Sequence, residues 1–289
     1  MKNIVIDFHV HVFEFETLTT NVVDLISRAY PNRNEYDALS KKYANPHAFL
    51  ELMEQNGVDY SVILAEISPL STGIAKNETV EAFCRVSPRL IPFCTLNPYQ
   101  HPNMGNLLED LILHHGFKGL KLYPPYNYFY PNDNFLYPLY AVAERLGIPV
   151  NFHTGSSIFA NSRIKYGNPI YFDDVAVDFP DMKIIMAHGG RGPWHNEALN
   201  MIRLHKNVYI DVAGLPPKKL IEYFPDLERF SHKFIFGTDW PTPAFNIVNM
   251  KASPMDAKKN IEMIRNLNIS QRAITNILGE NAKQLLGLV

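Results

Sequence analysis

Eight short runs of apolar, mostly β-branched or aromatic residues recur along the chain, each followed by a longer stretch with helical spacing. This alternation constrains the fold more than any other feature. The runs are Ile4–Phe8, Tyr60–Leu64, Leu90–Thr95, Gly119–Leu122, Pro149–Phe152, Lys183–Ala187, Val208–Val212 and Phe234–Phe236. Their apolar residues are nearly continuous rather than alternating, as in parallel strands covered on both faces. Helix boundaries between the runs are punctuated. Asn45-Pro46 supplies an N-cap and a first-turn residue for a helix closing at Gly57, and Gly116 and Gly147 each end an amphipathic segment just before a strand. In Phe135–Leu146, Leu136, Leu139, Tyr140, Ala143 and Leu146 fall at helical spacing and suit packing against a sheet. Helical patterns at Ala257–Asn266, Gln271–Leu278 and Asn281–Leu286 are expected to seal the outside.

Eight strand-helix units with no interior linker predict an α/β fold of the (β/α)8, TIM-barrel type, with residues 1–289 as a single domain; a doubly wound sheet usually has only five or six strands. At 46% hydrophobic and 19% charged, the chain has ample material for one large core. The formal net charge is -2 and no Lys/Arg block occurs, so a nucleic-acid partner is not expected. The two cysteines, Cys84 and Cys94, offer neither a disulfide framework nor a thiolate metal site, and are read as buried thiols. Charge interrupts the first apolar run too early for a signal peptide, and no apolar stretch reaches the roughly 18 residues of a membrane span. The expectation is a cytoplasmic protein with no membrane partner.

Two stretches exceed ordinary connections, Val12–Tyr43 after the first strand and Tyr123–Asn134 after the fourth. Both leave the C-terminal ends of strands, where barrel loops build active sites, and so read as walls or lids of a pocket. Polar residues gather at those same ends. His9 and His11 are two apart on the first strand and project to one face, which suits two ligands of one metal. His153 ends the fifth strand, His188 the sixth and Asp239 the eighth. Singly, each could be a satisfied core histidine or a capping aspartate. Together they imply a shared purpose, because clustered buried polar groups need partners. Glu66, Tyr123, Arg191, Trp194 and Trp240 follow strands and could clamp a small anionic or aromatic substrate, Arg191 through bidentate bonds to a carboxylate. Tyr126, Tyr128, Phe129 and Tyr130 could cover a pocket or pack between subunits.

With the Gly119-Leu120-Lys121-Leu122-Tyr123-Pro124 strand, the Ala187-His188-Gly189-Gly190 turn, Gly237-Thr238-Asp239-Trp240-Pro241 and Gly279-Glu280-Asn281-Ala282, the chain resembles the amidohydrolase superfamily over nearly its whole length. Within it, the likeness is to the compact branch of aminocarboxymuconate semialdehyde and resorcylate decarboxylases. The resemblance implies metal ligation by His9, His11, His153 and Asp239, an acid/base or electrostatic role for His188, and compatibility with a homodimer. It leaves Lys121 between two roles: a carbamylated bridge between two metals, or, as favoured here, a substrate-binding or structural residue beside one metal. The expected cofactor is a single divalent ion, Zn²⁺ first, with Mn²⁺, Fe²⁺ and Co²⁺ as alternatives for the same donors. The leading expectation is hydrolysis of a small amide, lactone or ester, with His188 and Asp239 catalytic and Lys121, Tyr123, Arg191 and Trp240 contacting substrate. Non-oxidative decarboxylation of an unsaturated or aromatic acid is the alternative.

Overall fold

The computed structural model describes residues 3–12, 14–246 and 251–288. Eight parallel strands follow one another around the sheet: β1 (Ile6–His11), β2 (Tyr60–Leu64), β3 (Leu90–Thr95), β4 (Gly119–Leu122), β5 (Pro149–His153), β6 (Lys183–Ala187), β7 (Val208–Asp211) and β8 (Phe234–Ile235). The last meets the first through backbone bonds from Phe8 N to Phe236 O (2.9 Å), Asp239 N to His9 O (2.9 Å) and His11 N to Trp240 O (2.7 Å). The chain is therefore a nearly closed barrel ringed by helices, the predicted architecture. The expected first strand is shifted: β1 starts at Ile6 and continues through His11, because the residues past Phe8 pair with β2 and bond to the turn after β8.

Alternation along the strands separates two cores. Facing outward, Val10, Ile63, Cys94, Leu120, Val150, Ile184, Ile210 and Phe234 pack against the helices. Facing inward, Ile6, Phe8, Val62, Leu64, Ile91, Phe93, Ile185 and Ile235 fill the N-terminal half of the barrel, with Ala282 and Leu285 of the last helix beneath them. Gly119 is required in this layer, since a Cβ there would lie 2.4 Å from the Phe93 ring.

β1 departs from simple alternation. Asp7 faces Ser61 and Val10 faces Ile63, so three steps on β1 match two on β2, a one-residue bulge. Strict alternation would set Ile6 and Phe8 on one face and His9 and His11 on the other. With the extra residue, Phe8 closes the apolar interior while His9 and His11 also turn inward above it.

Helix ends follow the sequence punctuation. Asn45 Oδ1 accepts from His47 N (2.9 Å), and Gly57 and Gly147 end their helices in the left-handed region at φ 71° and 65°. The long stretch after β1, whose Phe13 lies outside the described residues, contains the helices Thr20–Ser27 and Arg33–Tyr43 over a small core of Leu18, Val22, Val23, Ile26, Tyr36 and Ala75. Sequence patterns did not anticipate the hairpin of Glu66–Ser68 with Gly73–Ala75 after β2, which is too short for a periodic signal. The Gly279-Asn281 segment locks the barrel closed: Gly279 lies where a Cβ would be 2.2 Å from Ile4 O, and Asn281 Nδ2 donates to Ser231 O and Phe234 O, both at 2.7 Å. Among the described residues no helix is long and apolar enough to cross a membrane. Cys84 and Cys94 are buried and free.

Candidate metal centre

Above the apolar interior, alternation continues with polar side chains. Lys121 and Asn151 pair in register on β4 and β5, and Asp211 ends β7. His9, His11, Glu66, His153 and Asp239 stand at the C-terminal ends, all buried. His9 Nε2 and His11 Nε2 each lie 3.4 Å from Asp239 Oδ1, so the His-x-His pair converges on one carboxylate oxygen. His153 sets its ring edge-to-face 4.6 Å from His188, which is 5.0 Å from His9. The five residues expected at a common centre are thus brought together. Among the described residues, His9, His188 and Asp239 form a ligand group with donor atoms within 4.8 Å of one another. His188 thus joins two of the four expected ligands in that group, while His11 and His153 fall outside it.

Two of these residues sit on strained backbone. His188 and Asp239 have φ of 64° and 66°, a region that costs a non-glycine residue about 1–2 kcal/mol. Each is pinned by its flanks: Arg191 N donates to His188 O (2.9 Å), while Asp239 N donates to His9 O and its carbonyl accepts from Thr242 N. Strain held just past the ends of β6 and β8, which flank β7, aims both side chains into the mouth of the barrel.

Hydrogen bonds settle which histidine atoms face inward. His188 Nδ1 donates to Ala213 O at 2.8 Å, which leaves Nε2 as an acceptor in the neutral ring. A neutral His188 therefore offers the centre a lone pair, the form a base needs within the acid/base or electrostatic role that the resemblance implies. His9 Nδ1 lies 2.5 Å from Asp211 Oδ2, and His11 Nδ1 lies 3.7 Å from Glu66 Oε2. Both histidines of the pair thus have a buried acid behind them.

Burial dominates the electrostatics. It holds His9, His153 and His188 well below the ordinary imidazole range, helped by Lys121 and Arg191 nearby. Lys121, 0% exposed and donating to Asn151 Oδ1 at 3.2 Å, is pushed down by burial to about 8, against the pull of Asp211, Asp239 and Glu66. Burial raises Asp211 to about 6, with Lys121 opposing it, and raises Glu66, which is bonded to Thr72. Burial also works against ionised Asp239, but the hydrogen bond from His11, the adjoining imidazoles and the Arg191 guanidinium hold it below the usual carboxylate value.

The donor set fits a divalent cation. Neutral imidazoles and a carboxylate are the ligand types of catalytic zinc sites. His153 Nε2 is buried with no hydrogen-bond partner among the described residues, a state that a cation at the centre would relieve. Gly214 keeps space open beside them, since a Cβ there would meet Arg191 Nη1 at 2.7 Å, Asp239 Oδ2 at 3.2 Å and His188 Nδ1 at 3.4 Å.

The expected substrate contacts divide. Arg191 is at the site, with Nη1 4.0 Å from Asp239 Oδ2 and Nε donating to Ser156 O (3.2 Å). Tyr123 presents its ring 6.5 Å from His11, but its hydroxyl donates to Ala65 O (2.8 Å), making it a wall rather than a hydrogen-bonding contact. Tyr126 stacks on Tyr123 (5.8 Å) and lies 4.6 Å from His153, extending that wall. Trp240 is elsewhere: its indole packs on Phe49 (5.3 Å) and Tyr43 (5.7 Å) in the helical layer, because the β1 bulge turns its neighbour Val10 outward. Sequence reading missed Asp211, Asn151 and Gly214. For two of them a signal was present: Asn151 stands two residues before His153, and Asp211 interrupts an apolar strand.

A barrel whose polar mouth gathers four histidines and an aspartate has the architecture of the metal-dependent barrel enzymes. Residues 6–288 match the amidohydrolase family model (amidohydrolase-2), and the chain belongs to that family. No curated protein matches it by sequence. Among solved structures, an uncharacterized TIM-barrel protein from Bordetella bronchiseptica is 24% identical over 98% of each chain, with a TM-score of 0.76. A 5-carboxyvanillate decarboxylase from Novosphingobium aromaticivorans, with bound manganese and 3-methoxy-4-hydroxy-5-nitrobenzoic acid, is 12% identical over 99% of this chain and 98% of that one, with a TM-score of 0.71. A probable 2-pyrone-4,6-dicarboxylic acid hydrolase from Acinetobacter baumannii, with citric acid bound, is 17% identical over 98% and 99%, with a TM-score of 0.65. At these identities the likeness speaks for the fold.

Proposed function

We propose that the chain, acting as one domain, is a metal-dependent hydrolase of a small carbonyl compound bearing a negative charge. His9, His11, His153 and Asp239 would hold one divalent ion, Zn²⁺ by donor chemistry, with His188 able to join them. Such an ion, when bound, lowers the pKa of water toward about 7 and polarises a carbonyl.

The observation that carries this reading is how Asp239 divides its oxygens. Oδ1 faces the nitrogens of His9 and His11, while Oδ2 faces Arg191 and the space kept open by Gly214. A carboxylate placed this way can take a proton from an attacking water on one side and return it to a leaving group on the other. His188, bonded through Nδ1 to Ala213 O, adds an acceptor in the same space. Arg191 provides the donors that a substrate carboxylate or a developing negative charge needs, and Lys121 adds buried positive charge. Tyr123 and Tyr126 form a flat wall that excludes water and favours a planar substrate.

Decarboxylation of an unsaturated or aromatic acid is the second reading. It is favoured by that aromatic wall beside Arg191 and by the likeness to a carboxyvanillate decarboxylase. One assay separates the two. Purified protein loaded with Zn²⁺ or Mn²⁺ is offered lactones, esters, amides and unsaturated or aromatic acids in H₂¹⁸O. Hydrolysis predicts ¹⁸O in the product without carbon dioxide. Carbon dioxide released without ¹⁸O in the organic product would replace this reading by the second.

A further inference from the structure

Behind the candidate ligands a line of buried polar side chains crosses the barrel. Lys121 Nζ on β4 donates to Asn151 Oδ1 on β5 (3.2 Å), Asn151 Nδ2 donates to Asp211 Oδ2 on β7 (3.4 Å), and the same oxygen lies 2.5 Å from His9 Nδ1 on β1. Asp211 is 0% exposed, and its other oxygen accepts from Ala213 N at 2.8 Å. A Cβ on Gly237 would lie 2.7 Å from Asp211 Oδ1 and from His9 Cβ, so the backbone is cut back to admit the pair. Nothing in the proposed hydrolysis uses Asp211, yet a buried carboxylate is costly without a purpose or partners.

We infer that Asp211 is the positioning residue of His9: it accepts a hydrogen bond from Nδ1–H, fixes the ring, and so leaves the Nε2 lone pair free for an ion shared with Asp239, while Asn151 and Lys121 hold Asp211 in place. The inference rests on the reading of His9 as a metal ligand. A ligating histidine normally donates its other ring N–H to a carboxylate or carbonyl, and losing that partner typically costs about 10- to 100-fold in metal affinity.

The geometry also says what Asp211→Asn should do. Ala213 N still needs an oxygen, which leaves the new amide group facing His9 Nδ1 and Asn151 Nδ2. Donors then oppose the Nδ1 proton, and the ring is driven to carry its proton on Nε2, the atom required as a ligand.

The test combines two readouts on ¹⁵N-histidine-labelled protein: the long-range ¹H–¹⁵N spectrum of the metal-free form, with His9 assigned from a His9→Gln sample, and Zn²⁺ affinity by competition with a chelator. In the wild type, His9 is expected protonated at Nδ1. In Asp211→Asn it is expected to shift toward Nε2 protonation, with Zn²⁺ affinity about 10- to 100-fold weaker and near-ultraviolet circular dichroism retained. Asp211→Ala should give mixed tautomers and a smaller loss. A wild-type His9 protonated at Nε2 overturns the inference without any variant, and so does a folded Asp211→Asn with unchanged tautomer and affinity. Wild-type protein that takes up no Zn²⁺ overturns the metal-site reading instead; the tautomer spectrum then still decides whether Asp211 sets His9.

Discussion

The interior of the barrel is filled in opposite ways at its two ends. Toward the N-terminal ends of the strands Ile6, Phe8, Val62, Leu64, Ile91, Phe93, Ile185 and Ile235 interlock without a polar atom among their side chains. Toward the C-terminal ends the same alternating positions carry His9, His11, Glu66, Lys121, Asn151, His153, Asp211 and Asp239. Each apolar residue in the first layer contributes about 1.5–3 kcal/mol by burial alone. The second layer buries charge and strained backbone, both of which oppose folding. Stability and chemistry are therefore assigned to successive turns of one strand set, and the one-residue bulge in β1 lets Phe8 belong to the first layer and His9 to the second.

That division can be broken from either side. The largest effect is expected from His153→Ala, which removes a ligand without emptying the apolar layer. Metal content should fall, turnover should drop by about a hundred- to a thousandfold, the scale of losing a preorganised electrostatic element, and the urea midpoint should hold. Full metal content in that folded variant would remove His153 from the centre. Phe8→Ala should do the reverse, costing about 3–5 kcal/mol in urea unfolding while the folded fraction keeps its metal. A loss of metal with little loss of stability would place Phe8 on the wrong side of the bulge.

Gly214→Ala sharpens the comparison. It combines a left-handed φ of 67° with a Cβ pressed against Arg191 and Asp239. We expect about 1–2 kcal/mol of destabilisation, measured by unfolding. Displacing Asp239 should also cut kcat by up to about a hundredfold. The smallest effect belongs to Trp240→Phe, expected to cost under about 1.5 kcal/mol with turnover unchanged, because the indole packs in the helical layer. A large fall in kcat at unchanged stability would return Trp240 to the substrate pocket.

The strands of the apolar layer were readable because short, nearly continuous apolar runs between helical segments admit few alternatives; β2, β3, β4 and β6 begin and end where the pattern places them. Capping at Asn45 and the terminating Gly57 and Gly147 were readable for the same local reason. The candidate ligands were visible as polar residues closing apolar runs. What was not visible depends on chain segments meeting at a distance: the β1 bulge, which exists only against β2, and the Asp211–His9 pair, whose members are 202 positions apart. The packing of Trp240 on Phe49 and Tyr43 was not visible either, because strand-end position alone does not say whether a side chain turns into the barrel or onto its helices.

The central claim, that the polar layer is one metal centre, is tested most directly by anomalous diffraction at the zinc edge from crystals grown with Zn²⁺. A single peak is expected between His9, His11, His153 and Asp239, with imidazole nitrogens about 2.0–2.1 Å away. No peak there, or a peak held only by surface residues, would contradict it.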